Sequence, residues 1–234
     1  MLYPGYGITS YLYTFFQTLI YTAPAILIAI AMHEFAHGFV AYRLGDITPK
    51  MDGRLTLNPF KHLDIWGTLC LLFFHVGWAK PVRINTRNFK NRRRDMILVA
   101  AAGPVMNFIL AFIFMLFYGL LFKTGASGVI ITYLETLCLY ASILNVGLGL
   151  FNLIPVPPLD GANILEEAVP AVQQFYWKIR RYSVLILATL LVSGILSWPM
   201  NYLNNAIVNG MWDLVQTILR IGSFATTRGS GTVI

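Results

Sequence analysis

The chain has 234 residues, of which 57% are apolar and only 12% are charged, a composition that excludes an ordinary soluble globular protein. Its 17 basic residues outnumber its 10 acidic ones. They cluster between the apolar runs, where basic residues set orientation in a membrane and contact anionic lipid headgroups. The composition therefore predicts an integral membrane protein surrounded by lipid, and it argues against nucleic acid as a partner.

Four apolar segments reach the length of about 20 residues that a helix needs to cross the hydrocarbon core. They cover residues 11–42, 96–122, 136–155 and 182–200. Residues 65–79 are too short to cross easily and suit a re-entrant segment. Residues 203–219 have a mixed pattern that suits a short or surface-lying helix. The fold class predicted is an all-α integral membrane protein, a polytopic bundle of about four to six transmembrane helices.

A small insertion is expected between Asp46 and Asn85, where polar and apolar residues alternate. The alternation is clearest in residues 54–57 and 82–85, and Gly53 gives a turn signal. These features predict a β-ribbon at the rim of the membrane. Because unpaired backbone cannot face lipid, such a ribbon has to be buried in protein or line a wet cavity.

The short loops predict the orientation of the chain. Residues 80–94 hold seven lysines and arginines, whereas residues 123–129 hold only Lys123. Loops rich in Lys and Arg stay on the cytoplasmic side. We therefore expect the loops at 80–94 and 156–181 to be cytoplasmic, and the loop at 123–129 and the N-terminus to be outside.

The first predicted span contains His33-Glu34-Phe35-Ala36-His37, an HExxH motif. Residues four apart share one face of a helix, so both imidazoles can reach one tetrahedral Zn²⁺ while Glu34 addresses a zinc-bound water. A charged side chain deep in a membrane costs about 3 kcal/mol or more, and it persists mainly when it is paired, metal-bound or facing water. The motif predicts a zinc site in preference to polar contacts between helices.

A catalytic zinc site commonly uses three protein ligands, so a third must come from elsewhere. Glu135 begins the third predicted span at the opposite side of the membrane and is too distant. Asp160 follows three prolines that prevent a regular helix, and irregular backbone at membrane depth normally lines a polar cavity. Asp160 is the favoured ligand. Glu166 or Glu167 in its place would indicate a membrane-anchored metallopeptidase that acts on loops.

Two further sets of residues receive plainer interpretations. His62 follows an Asn-Pro turn signal, and Asn107 lies four residues after Gly103. We expect a capped turn at the membrane surface for the first and helix packing for the second. Support of the site is the alternative for His62, and a contact with the site is the alternative for Asn107. Cys70 and Cys138 lie far apart in apolar runs. They are expected to be small buried residues, neither a metal pair nor a disulfide.

These motifs resemble the site-2 protease family of intramembrane metalloproteases, specifically its short members without PDZ or CBS domains. The resemblance covers about residues 25–165: the HExxH motif on an early span, and Asn152 with Pro157-Pro158-Leu159-Asp160-Gly161 at the end of a later one. It implies distinct roles for five side chains. His33, His37 and Asp160 bind zinc, Glu34 activates water, and Asn152 hydrogen-bonds the substrate or the developing oxyanion.

We expect one membrane-embedded peptidase domain over residues 1–234. We expect a catalytic core at 11–165, C-terminal helices at 166–222 and a disordered tail at 223–234. The implied activity is hydrolysis of peptide bonds in the transmembrane segments of a substrate protein or peptide, in a bacterial or archaeal cell membrane, with the site toward the cytoplasm. The alternative is a zinc transporter or metal-binding membrane protein, which would need several metal stations through the membrane.

Overall fold

The computed structural model describes residues 8–64, 67 and 80–221. The re-entrant segment expected at 65–79, apart from residue 67, and the tail expected at 223–234 lie outside these residues. The described part of the chain contains eight α-helices: α1 Ile8–Arg43, α2 Thr48–Met51, α3 Arg92–Thr124, α4 Val129–Asn152, α5 Asp160–Ala168, α6 Gln173–Ile179, α7 Ser183–Val192 and α8 Ser197–Leu219.

Three of the described helices, α1, α3 and α4, are long and apolar enough to cross a membrane. They pack on one another, and α3 contacts both α1 and α4. Apolar side chains remain exposed on their outer faces, among them Phe16 on α1, Phe117 on α3 and Val129 on α4, as lipid-facing surfaces require. The prediction of an all-α polytopic membrane protein is confirmed.

The fourth predicted span, 182–200, is wrong as one continuous helix. Helix α7 ends at Val192, Gly194 adopts the left-handed conformation at φ 70°, and α8 begins at Ser197. The helical stretch Pro170–Val192 and α8 meet at an angle of 77°. Apolar length alone suggested a continuous span, but glycine is the residue that most readily takes a positive φ and turns the chain.

The β-ribbon predicted between Gly53 and Asn85 is not formed among the described residues, none of which belongs to a β-strand. Residues 80–85 have no helical structure either, and their backbone N–H groups are used individually. The Val82 N–H donates to the Glu34 carboxylate and the Asn85 N–H to a second carboxylate. The Lys80 N–H donates to the His62 carbonyl at 2.9 Å, whereas the other two N–H groups bond to side chains, which the alternating pattern could not reveal.

Small residues let the membrane helices approach closely, as is usual in a bilayer. On α1 the fully buried side chains include Ala25 and Ala41, both 0% exposed. Between α3 and α4, the Ser142 hydroxyl donates to the Ala111 carbonyl at 2.9 Å. At Gly119 a Cβ atom would lie 2.5 Å from Val215 Cγ1 of α8, so α8 docks on α3 through a glycine.

We expect Gly119→Ala to destabilise the protein by about 1–3 kcal/mol, the usual cost of overpacking a close contact. Val215 is fully buried and β-branched, so it has little freedom to move away. Thermal unfolding in detergent measures the effect. Gly210→Ala on α8 is the matched control because its Cβ would enter open space among the described residues. Equal melting temperatures for the two variants would contradict this docking of α8.

Candidate metal centre

The structure brings three of the predicted site residues into one buried cluster. His33 and His37 lie on one face of α1 and are 6% and 7% exposed, and their Nε2 atoms are 3.0 Å apart. Asp160 is the first residue of α5, and its Oδ2 lies 3.1 Å from His33 Nε2 and 3.3 Å from His37 Nε2. The predicted ligand set His33, His37 and Asp160 is therefore assembled by α1 and α5.

Hydrogen bonds on the far side of each imidazole fix its orientation. The His37 Nδ1–H donates to the Val99 carbonyl at 2.7 Å, and the His33 Nδ1–H donates to Asn107 Oδ1 at 3.3 Å. An oxygen acceptor of this kind places the proton on Nδ1, so a neutral imidazole keeps its lone pair on Nε2. Both lone pairs then point toward Asp160, as in histidines prepared to bind metal.

The cluster fits one metal ion. Asp160 Oδ2 is buried and faces the Nε2 atoms of both histidines, so with each imidazole proton on Nδ1, three electron-rich atoms face each other. Tetrahedral zinc with bonds of about 2.0–2.1 Å would separate its ligand atoms by about 3.3 Å, close to the spacings observed here. Two imidazoles and one carboxylate are a donor set that suits Zn²⁺.

Two glycines make the close approaches that this cluster needs. A Cβ at Gly103 of α3 would lie 2.6 Å from His33 Nε2 and would also overlap His37 Nε2. A Cβ at Gly161 would overlap the Leu153 carbonyl at the end of α4. The first glycine lets α3 pass directly beside the histidines, and the second lets α5 begin against α4, which delivers Asp160 to the cluster.

Glu34 lies beside the cluster but is held by a different group. Its Oε2 accepts a hydrogen bond of 3.1 Å from the Val82 N–H, and it is absent from the set of side chains whose ligand atoms converge. Glu34 therefore contributes no ligand atom to the cluster, and its predicted role on water stays a prediction. One of its carboxylate oxygens, Oε2, is anchored by backbone.

The structure does not bring the Asn152 amide into the cluster. Asn152 ends α4, at the same end of the bundle as Asp160, and its Nδ2 donates to the Leu148 carbonyl of its own helix. Glu166 and Glu167, the alternative third ligands, pair instead with Arg180 at 2.7 Å and Arg92 at 3.6 Å. Their ion pairs favour Asp160 as the ligand.

The structure shows a contact between Asn107 and the site, which the sequence left as the alternative to helix packing. Asn107 is fully buried and contacts His33. Its spacing of four from Gly103 places both on one face of α3, and that shared face was the available signal. The contact of the Val99 carbonyl had no signal in the sequence, because any residue type provides a backbone acceptor.

The comparison with protein families decides the identity of this architecture. The family model of Peptidase family M50 matches residues 21–131 and 122–194, which together cover well over half of the chain and include the whole cluster. The chain belongs to peptidase family M50. This family of site-2 proteases is the one the motifs resemble, and membership confirms the predicted class of enzyme, a metallopeptidase.

Several relatives of this M50 peptidase carry names that specify zinc. The chain is 41% identical over 204 residues to "Putative zinc metalloprotease YwhC" of Bacillus subtilis, covering 81% of this chain and 90% of that protein. It is 30% identical over 180 residues to "Putative zinc metalloprotease Rip2" of Mycobacterium tuberculosis, covering 73% of this chain and 66% of that protein. No solved structure gives a significant match.

We expect Gly103→Ala to weaken zinc binding at least about ten-fold, the scale seen when the support of a metal ligand is disturbed. The added methyl group would occupy the space of both histidine Nε2 atoms. Metal content of the purified variant, measured after dialysis against a series of free zinc concentrations, gives the affinity. The matched control is Gly147→Ala, whose Cβ would meet only Asn204 Nδ2, at 3.5 Å. Wild-type affinity in Gly103→Ala would refute the cluster geometry.

Proposed function

We propose that this M50 peptidase is an intramembrane zinc metalloprotease that hydrolyses peptide bonds within the transmembrane segments of substrate proteins. The observation that carries the proposal is the convergence of His33, His37 and Asp160 in the buried interior of a bundle of membrane-crossing helices. A carboxylate and two imidazoles are costly to bury in such a place without a cation. The zinc named in the relatives' titles supplies that cation.

When bound, zinc would act as a Lewis acid and make water a stronger acid at neutral pH. Glu34 is the general base: its free Oε1 takes a proton from the water that attacks the scissile carbonyl carbon. The carbon–nitrogen bond then breaks, and Glu34 returns that proton to the departing amine. Asn152 would donate to the substrate or to the developing oxyanion, which requires its amide to leave the Leu148 carbonyl.

The substrate's own structure sets a condition on the reaction. A transmembrane helix satisfies every backbone carbonyl internally, so the scissile peptide has to leave the helix before water can attack it. The irregular chain between Asn152 and Asp160 and the extended residues 80–85 border the cluster. Both provide polar backbone next to the site, where an unwound substrate would otherwise face lipid.

The topology supports a site on the cytoplasmic side. The C-terminal ends of α1 and α4 and the N-terminal end of α3 meet at the cluster, and the basic residues 80–94 lead into and include the first turn of α3. His37 lies six residues before Arg43, which places it about 9 Å along the helix from that end. The relatives' sources, among them Bacillus subtilis and Methanocaldococcus jannaschii, support a bacterial or archaeal cell membrane.

A zinc transporter is the best alternative, and the structure disfavours it. A transport path would place metal-binding groups at several depths in the membrane. Within the described residues one group of metal-ligating side chains converges, and it lies at one end of the bundle. A general base at Glu34, hydrogen-bonded beside that cluster, has a clear use in hydrolysis and none in moving an ion.

Glu34→Gln should abolish hydrolysis of a model transmembrane substrate while leaving zinc bound, because the amide cannot take a proton from water. Asp160→Ala and His33→Ala should lose both zinc and activity, and 1,10-phenanthroline should inhibit the wild type until zinc is restored. Metal analysis and cleavage assays on the same preparations distinguish the roles. Turnover near the wild-type rate in Glu34→Gln would contradict the assignment of Glu34 as the general base.

Cleavage should fall in the cytoplasmic half of the substrate's span, about 10–15 Å below the surface, because both ligand-bearing segments meet near that side. Mass spectrometry of the products maps the bond. Arg83→Cys and Ser127→Cys, each in a Cys70→Ser/Cys138→Ser background, test the topology. A membrane-impermeant maleimide should label the first only from the cytoplasmic side and the second only from outside. The reverse labelling would overturn the orientation.

A further inference from the structure

Asp46 is a fully buried carboxylate outside the metal cluster, three residues after the end of α1. It accepts hydrogen bonds from four donors. The Thr48 N–H and hydroxyl donate to Oδ1 at 3.0 and 2.6 Å, Asn88 Nδ2 donates to Oδ1 at 2.8 Å, and the Asn85 N–H donates to Oδ2 at 2.7 Å. Burial alone would raise the pKa of Asp46, but these hydrogen bonds outweigh it and hold the pKa below its usual range.

These bonds fasten residues 80–89 to the end of α1. Gly45, at φ 111°, lets the end of α1 and residues 80–89 approach each other, since a Cβ at Gly45 would lie 3.2 Å from the Asn88 carbonyl oxygen. Phe89 is buried with Ala41 of α1 and Val99 of α3, the residue whose carbonyl orients His37. The segment is therefore held against the same helices that carry the metal ligands.

The other end of this segment contacts Glu34. Val82 is 9% exposed, and its N–H donates to Glu34 Oε2 at 3.1 Å. Asn85, which Asp46 holds, lies three residues further along the same segment, a distance of at most about 10 Å. The hydrogen bond from Val82 to Glu34 and the hydrogen bond from Asn85 to the buried Asp46 are therefore made by one short stretch of backbone.

We propose that Asp46 is a positioning residue for Glu34, acting through the backbone of residues 82–85. This role of Asp46 rests on the proposed function, in which Glu34 is the general base. Anchoring Oε2 on the Val82 N–H holds the carboxylate in one rotamer and directs Oε1 toward the attacking water. A displacement of about 1 Å in such a group can cost about 100-fold in rate, so an anchor far from the chemistry has a large effect on kcat.

The test compares kcat, KM, zinc content and melting temperature of several variants on a model transmembrane substrate. Asp46→Asn turns one acceptor oxygen into a donor, and Val82→Pro deletes the N–H itself. Both should lower kcat by about 10- to 100-fold with KM and zinc content unchanged. The double variant should be no slower than Val82→Pro alone, because both changes remove the same hydrogen bond to Glu34.

Asp52→Asn is the matched control. It breaks the exposed ion pair that Arg83 makes on the same segment, at 2.9 and 3.0 Å, and it should retain kcat because exposed pairs contribute little.

Hydrogen exchange gives a readout that does not depend on activity. The Val82 amide should exchange faster in Glu34→Ala and in Asp46→Asn than in the wild type, and it should be unchanged in Asp52→Asn. Glu34→Ala tests the hydrogen bond between Val82 and Glu34, and faster exchange in Asp46→Asn tests whether Asp46 supports that bond.

Three results would overturn the proposal. One is wild-type kcat in a folded Asp46→Asn protein, which would leave Asp46 a purely structural role. Another is loss of zinc in that variant, which would place its effect on the ligands. The third is protection of the Val82 amide that does not change in Glu34→Ala. A wild type with no zinc-dependent cleavage would instead refute the proposed function itself.

Discussion

The cost of burying charge within a membrane is the constraint on which this structure depends. A carboxylate and two imidazoles in the interior of a helical bundle are stable only when a cation or hydrogen-bond donors compensate them. Here the Nδ1 atoms of His33 and His37 are satisfied by Asn107 and Val99, and the remaining electron-rich atoms are directed at one point. The positions of α3 and α5 follow from this requirement, because each supplies a partner that α1 lacks.

In this site, glycines and backbone groups provide the close contacts and fixed polar groups that larger side chains provide in soluble enzymes. Gly103 and Gly161 allow helices to approach within the width of a side chain, and the Val99 carbonyl and Val82 N–H act as fixed polar groups beside the site. Small residues and backbone dipoles lose no rotamer freedom when they are ordered. In a site that has to exclude lipid and admit an extended peptide, rigid contacts of this kind keep the polar groups in place.

The sequence predicted the three side chains that converge and part of the fold. The four-residue spacing of His33 and His37 fixes their relation on a helix, and elimination by depth led to Asp160, which lies against both. The break at Gly194 was not predictable from hydropathy, because an apolar run gives no measure of local φ. Residues 80–85 alternate as a strand would, yet their N–H groups bond to Glu34 and to the buried Asp46. Such contacts join residues far apart in sequence, and a single sequence does not record them.

The three side chains of the cluster are synthesised at different times, because they lie far apart along the chain. His33 and His37 belong to the first helix, whereas Asp160 begins a short helix that follows the third membrane-crossing one. During synthesis, the nascent protein holds two ligands long before the third exists. A competent centre therefore requires that α1, α3 and α4 have all inserted and packed. The arrangement ties completion of the cluster to assembly of the bundle, because a partly inserted chain contains only two of its three side chains.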